Sequence, residues 1–253
     1  MSLSVDKIKK ISETEQEVFV FDTIDSTNAE AKRRAEQYKN AVFIANSQTD
    51  GRGRLGRNFY SPRDRGLYIT FLKEAFCKSE DAVLITTAVS VAVCRAIRKT
   101  AGIDVGIKWV NDLYYNEKKV CGILAESVRD YKSGELSRII IGIGINCDGA
   151  EFPDEIKEIA GSLGGVDRSR LAAELIRETD KIGNMIENRD FMDEYRKKSI
   201  VIGKEIVVVN TGEIADALDI DDVGGLVIKK RDGKTKTLSS GEISIRICGN
   251  NKV

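Results

Sequence analysis

The sequence predicts an α+β domain followed by a small β-barrel. Two observations support this prediction. Up to about residue 200, runs that alternate apolar and polar residues are interspersed with helix-forming runs. After Gly203, short β-rich runs alternate with turns that contain Gly, Asp or Asn, at the spacing of about 8–12 residues that is typical of small barrels and sandwiches. We therefore place a boundary near residues 199–203, between a first domain at 1–200 and a second domain at 201–253.

The first domain begins with polar residues at 1–17, which have room for one short helical turn. Thr27 and Glu30 then have capping-box spacing ahead of a helix-forming run, and Ser79 stands at the cap position of a long apolar helix. In chain order, the predicted elements of this half are a strand over 18–21, a helix over 29–38, strands over 42–45 and 67–72, and a helix that ends at Gly102.

A strand is predicted again after that helix, because Val105, Ile107 and Trp109 alternate with small or polar residues. Further along, Leu171, Leu175 and Ile182 recur on one face of a predicted helix. The remaining predicted elements are strands over 105–109, 120–128 and 136–146, helices over 169–188 and 191–198, and β runs over 205–210, 213–220, 226–230, 235–238 and 243–247.

The composition limits the chemistry that the chain can perform. The 253 residues include no histidine, which excludes Ser-His-Asp and Cys-His nucleophiles and zinc sites built on histidine. The five cysteines form no CxxC pair and favour reduced thiols, so we expect a cytoplasmic protein. Lys and Arg (40) balance Asp and Glu (40), which argues against bulk attraction to nucleic acid or lipid. No apolar run approaches the ~18 residues of a membrane span, so no membrane contact is expected.

The most distinctive motif is the loop Gly-Arg-Gly-Arg-Leu-Gly-Arg at residues 51–57. Its glycines allow the backbone to fold tightly and to present N–H groups to an anion. Its arginines add permanent charge and paired donors that suit a carboxylate or a phosphate. The alternative interpretation is a solvated or RNA-binding loop rich in glycine and arginine.

A second motif is Lys-Trp-Val-Asn-Asp at 108–112, followed by Lys119. A carboxylate and an amide near an arginine-rich loop could hold Mg²⁺ and a nucleotide. The alternatives are a structural ion pair for Lys108 and an exposed hairpin lysine for Lys119.

Two further motifs are compatible with a ligand site. Ser26-Thr27-Asn28 lies at a predicted helix N-terminus, where it either caps the helix or binds polar ligand groups. In Gly-Ile-Gly-Ile-Asn at 142–146, the paired glycines permit a ligand or another backbone to approach a strand closely.

Taken together and in this order, the motifs resemble those of the biotin–protein ligases. The resemblance covers about residues 18–247 and rests on Ser26-Thr27-Asn28, Gln48, residues 51–57, Ser61-Pro62, residues 108–112, Lys119 with Gly122-Ile123-Leu124, and residues 142–146. Two positions depart from the family pattern: Val110 replaces the usual proline and Phe59 replaces the usual tryptophan. Phe59 keeps an aromatic wall but loses the indole N–H, which bears on ligand affinity.

The resemblance implies a fold like that of the class II aminoacyl-tRNA synthetases, with a mixed sheet flanked by helices, and an SH3-like C-terminal barrel. It implies catalytic roles for Lys119, Arg54 and Arg52, and Mg²⁺ binding by Asp112. It implies biotin contacts from Ser26, Thr27, Asn28, Gln48, Gly51, Arg52, Gly53, Arg54, Lys119, Gly122 and Gly142. It implies nucleotide contacts from Arg54, Arg57, Phe59, Lys108, Trp109, Asn111 and Asn146.

The implied reaction is the ATP-dependent activation of biotin as biotinyl-5′-AMP, followed by transfer to a lysine of a biotin carboxyl carrier protein. Both nucleophiles come from the substrates, which suits a chain without histidine. With fewer than twenty residues before the first strand, we expect a short form without sequence-specific DNA binding; homodimers are common in the family. The rival functions are a lipoate–protein ligase and an RNA-binding protein that uses the glycine-arginine loop. The low aromatic content, 6%, argues against the RNA-binding function.

Overall fold

The computed structural model describes residues 3–77, 81–130, 132–149, 151–239 and 245–248. In chain order its helices are α1 (Val5–Ser12), α2 (Thr27–Arg33), α3 (Ala82–Ala101), α4 (Arg168–Thr179), α5 (Ile182–Asn188) and α6 (Met192–Lys198). Its strands are β1 (Glu17–Phe21), β2 (Ala41–Ala45), β3 (Gly66–Glu74), β4 (Gly106–Lys108), β5 (Asp112–Tyr115), β6 (Lys118–Arg129), β7 (Leu136–Asn146), β8 (Glu205–Val208), β9 (Glu213–Ile220), β10 (Leu226–Lys230), β11 (Thr235–Leu238) and β12 (Ile245–Ile247).

Seven of the described strands form a mixed sheet in the order β1-β2-β3-β7-β6-β5-β4. Strands β1 and β2 run parallel, and the other neighbours are antiparallel. The odd-numbered isoleucines of β7 are buried in the core that also contains α3 and α4. Because side chains alternate along a strand, Gly142 and Gly144 face the opposite side of the sheet. This glycine-bearing face carries the cavity described below.

The predicted mixed sheet flanked by helices is confirmed, with differences at the ends of several elements. The N-terminal helix α1 has eight residues rather than one turn, because the Ser4 side chain caps it. Ser26, not Thr27, caps α2, which ends at Arg33. At the start of α3 the cap position is held by Asp81. Ser79, which we expected to cap it, lies outside the described residues.

Two further differences lie in the second half of the first domain. The single helix predicted over 169–188 is wrong: the chain turns between α4 and α5, where the Asp180 carboxylate binds Lys73 and Gln16. The predicted strand over 105–109 shortens to β4, and a separate strand, β5, pairs with both β4 and β6.

The remaining five strands form an antiparallel sheet in the order β11-β10-β9-β8-β12. This C-terminal antiparallel sheet agrees with the prediction, but its closure into a barrel is not confirmed. The predicted boundary at 199–203 falls between α6 and β8. No helix among the described residues is long and apolar enough to span a membrane.

Candidate functional site

A cavity of about 280 Å³ lies over the glycine-bearing face of the mixed sheet. Five parts of the chain surround it: the start of α2, the loop after β2, the start of β5, the strands β6 and β7, and a segment after β7. These elements are distant in sequence, and the sheet order places them next to one another.

One end of the cavity is built from neutral amide and hydroxyl groups. Gln48 Oε1 accepts hydrogen bonds from the Thr27 backbone N–H at 2.8 Å and from the Thr27 hydroxyl at 3.0 Å. Gln48 Nε2 donates to the Ser61 hydroxyl at 2.9 Å. The backbone keeps these groups together, since Thr49 and Asp50 donate to the carbonyls of Ile24 and Asp25. The Gln48 side chain is therefore fixed against the N-terminus of α2.

Behind this end lies Thr70 of β3, which is fully buried. Its hydroxyl oxygen is 2.8 Å from Thr27 Oγ1 and 2.7 Å from Asn28 Oδ1. Asn28 Nδ2 also donates to Glu126 Oε2 at 2.9 Å. A hydroxyl has one proton, so Thr70 donates to only one of the two oxygens at a time. The other oxygen retains a lone pair that can accept an N–H group of a ligand. We call Thr27, Asn28, Gln48, Ser61 and Thr70 the amide–hydroxyl cluster.

The glycines of β7 make room for protein side chains rather than only for a ligand. A Cβ atom on Gly142 would lie 2.0 Å from Asn28 Oδ1, so any other residue there would displace Asn28. A Cβ atom on Gly144 would lie 2.5 Å from the Phe59 ring. Gly144 pairs with Gly122 of β6, and the Phe59 ring lies over both glycines. The ring also meets Tyr68 edge to face, with centroids 6.4 Å apart.

The glycine-arginine loop forms a small hairpin, which we call the cationic loop (residues 51–59). Phe59 N donates to Gly51 O at 2.8 Å, and Gly53 N donates to Arg57 O at 2.7 Å. Position 51 requires glycine, because a Cβ atom would lie 2.4 Å from the Phe59 carbonyl oxygen. At the tip, Leu55 adopts a positive φ of 56° and is 54% exposed. The base of the loop is thus tightly hydrogen-bonded, whereas the tip projects into solvent.

The cationic loop makes the other end of the cavity positive. Four cations, Arg52, Arg54, Arg57 and Lys119, line the cavity together with one carboxylate, Asp112. Arg54 Nη1 donates to Asn111 Oδ1 at 3.2 Å, and burial lowers the pKa of its guanidinium. An arginine stays protonated in proteins even so. This end therefore suits an anionic group.

Lys119 and Asp112 face each other across the β5–β6 hairpin, with Nζ and Oδ1 2.6 Å apart. The backbone of Lys119 also pairs with the segment 151–162, since Lys119 N donates to Ile159 O and Gly161 N donates to Lys119 O, both at 2.8 Å. Sequence reasoning missed this segment, which forms a wall of the cavity through Phe152, Ile156, Ile159 and Ala160. Ile156, Ile159 and Ala160 recur at the i, i+3, i+4 spacing of a helical turn, and this spacing after Phe152 was the signal that could have identified the wall.

The structure gathers most of the predicted site residues around this one cavity. The predicted residues that line it are Ser26, Thr27, Asn28, Gln48, Arg52, Gly53, Arg54, Arg57, Phe59, Asn111, Asp112, Lys119, Gly122, Gly142 and Asn146. Asn146 Nδ2 also donates to Gly161 O and so fixes the wall. Three predicted residues do not line the cavity. Gly51 lies at the base of the cationic loop, and the Lys108 ammonium lies 5.5 Å from the centre of the Tyr114 ring. The Trp109 indole points to the C-terminal sheet.

Among the residues that the structure describes, no group of three or more Cys, Asp or Glu side chains is arranged so that it could hold a metal ion. Asp112 is the acidic side chain that lines the cavity. Mg²⁺ is commonly bound by one or two carboxylates together with substrate phosphates and water. A single carboxylate beside the cationic loop fits that mode.

Comparison with known proteins gives a consistent result along the chain. Residues 20–146 match the family model described as "Biotin/lipoate A/B protein ligase family", and residues 201–246 match "Biotin protein ligase C terminal domain". The bifunctional ligase/repressor BirA of Bacillus subtilis is 30% identical over 89% of this chain and 73% of that protein. The biotin–[acetyl-CoA-carboxylase] ligase of Mycobacterium tuberculosis is 28% identical over 86% of this chain and 85% of that protein.

Among solved structures, the biotin protein ligase from Aquifex aeolicus in complex with biotin and ATP is similar to this chain with a TM-score of 0.78 and 27% identity. The match covers 91% of this chain and 99% of that one.

Proposed function

Because the chain belongs to the biotin/lipoate A/B protein ligase family, we propose that it joins biotin to a lysine of a biotin carboxyl carrier protein through biotinyl-5′-AMP. The observation that carries this proposal is the division of one cavity into a neutral amide–hydroxyl cluster and a cationic loop. Biotin has the matching shape, with an uncharged ureido ring at one end and a carboxylate at the other.

The amide–hydroxyl cluster is proposed to bind the ureido ring. The ring offers two N–H donors and a carbonyl acceptor, and the cluster has a spare acceptor at Thr27 or Asn28. Ser26 completes this end, with the backbones of Gly122 and Gly142 as its base. Because the cluster is buried and already hydrogen-bonded, it needs little reorganisation when biotin binds.

In the first step, the biotin carboxylate oxygen attacks the α-phosphorus of ATP. A new P–O bond forms, the bond to the β-phosphate breaks, and pyrophosphate leaves. We propose that Arg52 and Arg54 orient the reacting anions and that Lys119 stabilises the charge that develops around the α-phosphate. Asn111 and Arg57 would contact the nucleotide, and Asn146 the adenosine part. Gly51 lets the base of the cationic loop pack closely against Phe59, Ser61 and Gln48.

Mg²⁺ would supply charge neutralisation of the triphosphate, and Asp112 is the side chain that would hold it. In the structure Asp112 is paired with Lys119. Both groups are thus kept at the position where the phosphates are expected.

In the second step, the amine of the carrier lysine attacks the acyl carbon of biotinyl-5′-AMP. The new C–N bond forms, the C–O bond to the phosphate breaks, AMP leaves, and the amine loses a proton. The cationic loop is proposed to retain the adenylate until the carrier arrives, with Arg54 between the loop and Asn111. The loop tip is exposed, and we propose that it faces the carrier.

Biotin-dependent exchange of labelled pyrophosphate into ATP tests this function. We expect exchange with biotin and much weaker exchange with lipoate, followed by transfer of biotin to a carrier protein. Exchange that depends on lipoate alone would support a lipoate ligase instead. The match of residues 201–246 to the biotin protein ligase C-terminal domain favours biotin.

A further inference from the structure

The segment Trp109-Val110-Asn111-Asp112 connects four parts of the molecule. Trp109 binds the C-terminal sheet, and Val110 O accepts a hydrogen bond from the buried Tyr195 hydroxyl of α6 at 3.0 Å. Asn111 binds Arg54 of the cationic loop and the Ile123 carbonyl of β6. Asp112 pairs with Lys119. We call residues 109–112 the junction segment.

The contact of Trp109 is specific and buried. Its side chain is 5% exposed, and its indole Nε1 donates to the Gly224 carbonyl at 3.0 Å. A buried indole N–H without an acceptor is costly, so this hydrogen bond fixes the position of the ring. Trp109 therefore does not face the nucleotide end of the cavity. It connects the junction segment to the turn at residues 221–225, between β9 and β10.

That turn is itself shaped by one side chain. Asp221 Oδ1 accepts hydrogen bonds from the backbone N–H groups of Val223 at 3.1 Å and Gly225 at 2.7 Å. Arg189, after α5, donates to the Asp222 carbonyl at 2.7 Å, and Arg196 of α6 donates to the Ile220 carbonyl at 2.7 Å. The Gly224 carbonyl is thus held at a defined place relative to the helices of the first domain.

We propose that the turn 221–225 positions the junction segment for the nucleotide, with Trp109 as the positioning residue. This inference rests on the proposed function. Neither Trp109 nor the residues of the turn line the cavity, but the side chains two and three positions after Trp109 do. Small displacements of catalytic groups have large kinetic effects. A turn that holds Trp109 less firmly should therefore raise the KM for ATP. The side chains of the amide–hydroxyl cluster form hydrogen bonds with one another, with Glu126 and with the Phe59 carbonyl rather than with the junction segment, so biotin binding should be spared.

The test compares Asp221→Ala with Asp221→Asn. Asparagine retains a side-chain oxygen that can accept both N–H groups, whereas alanine removes it. We expect Asp221→Ala to raise the KM for ATP about tenfold in the exchange assay, with the KM for biotin changed less than about twofold. Asp221→Asn should stay near the wild type. Val223→Ala is the matched control, because Val223 lies in the same turn and its side chain is 59% exposed.

Trp109 is the only tryptophan of the chain, so the tryptophan fluorescence of the protein reflects the surroundings of this one indole. In Asp221→Ala we expect its emission to shift to longer wavelength, since the indole gains contact with water. In the wild type, an ATP analogue should change the emission more than biotin does. Thermal unfolding, followed by circular dichroism, establishes that each variant is folded at the assay temperature.

Trp109→Phe provides a second route if Asp221→Ala does not fold, because it removes the N–H group and leaves the turn intact. It should raise the KM for ATP selectively as well. An unchanged KM for ATP in a folded variant, or equal increases for ATP and biotin, would overturn the positioning role. A wild-type chain without biotin-dependent exchange would overturn the proposed function instead, so the two failures are distinguishable.

Discussion

The two ends of the cavity are built in opposite ways. The amide–hydroxyl cluster is neutral and mostly buried, and its members are hydrogen-bonded to one another. The cationic loop is charged and largely exposed, and its tip includes a leucine with positive φ. A buried network of this kind recognises a ligand through fixed hydrogen bonds. A charged hairpin attracts anions of several shapes.

From this difference we infer separate roles: the amide–hydroxyl cluster selects biotin, and the cationic end of the cavity activates biotin and retains the adenylate. Substitutions at the two ends should therefore alter different kinetic constants. The predictions below run from the largest expected effect to the smallest.

Replacing Lys119 should have the largest effect. Lys119→Ala removes the ammonium that is paired with Asp112 and is proposed to stabilise the charged transition state. We expect single-turnover adenylate formation to slow about 30- to 1000-fold, as for the loss of ~2–4 kcal/mol of transition-state stabilisation. Lys132→Ala, at an exposed turn, is the control. Wild-type rates in a folded Lys119→Ala variant would contradict the assigned role.

Replacing Arg54 should affect retention more than formation of the adenylate. Arg54→Gly removes the hydrogen bond to Asn111 and a cation beside the expected acyl-phosphate. We expect about a tenfold or greater increase in the biotinylation of bystander proteins, since a lost charge-assisted hydrogen bond weakens binding by ~1.5–3 kcal/mol. Mass spectrometry of a mixed protein substrate measures this labelling. Arg65→Gly, outside the cavity, should leave selectivity intact; unchanged selectivity in Arg54→Gly would be evidence against retention by the loop.

Replacing Thr70 should affect the biotin end alone. Thr70→Val keeps the shape but leaves Thr27 and Asn28 without the buried hydroxyl. We expect the KM for biotin to rise about 5- to 100-fold, in line with ~1–3 kcal/mol for an unsatisfied buried polar group, and the KM for ATP to stay constant. Thr70→Ser retains the hydroxyl and should restore binding. Parallel increases for biotin and ATP would contradict the division between the two ends.

The smallest effect is expected from thiol modification. Burial raises the pKa of Cys94 and Cys147 to about 12 and that of Cys121 well above its usual range. At pH 8, below these pKa values, all three remain protonated and unreactive. Iodoacetamide should label only the partly exposed Cys77 and Cys248 in the folded chain, and activity should survive. Mass spectrometry counts the added groups; modification of Cys121 in the active protein would show that the sheet beneath the cavity opens readily.

Much of the fold and the site could be predicted from the sequence, because local patterns determined them. The alternating apolar residues of β7 and the glycine-arginine loop both signal their structure directly. The contact of Asn28 with Gly142 could not be predicted, since it depends on the order of strands in the sheet. The paired glycines suggested a close approach, but not that a protein side chain would occupy it.

Trp109 illustrates a second limit. Its motif placed it near the nucleotide, and its neighbours Asn111 and Asp112 do line the cavity. The direction of its own indole depends on where the turn 221–225 packs, which no local pattern encodes. The wall at 152–160 was missed for a similar reason, because its place beside the cavity depends on hydrogen bonds to Lys119 and Asn146, which no local pattern encodes.

The most direct test of a selecting end and a retaining end is the fate of the adenylate on the wild-type chain. The protein is mixed with labelled biotin, ATP and Mg²⁺, passed through gel filtration, and then given a carrier protein. We predict that biotinyl-5′-AMP stays with the protein and that its biotin is transferred to a carrier lysine. An adenylate that is absent, or that leaves the protein during filtration, would contradict the account.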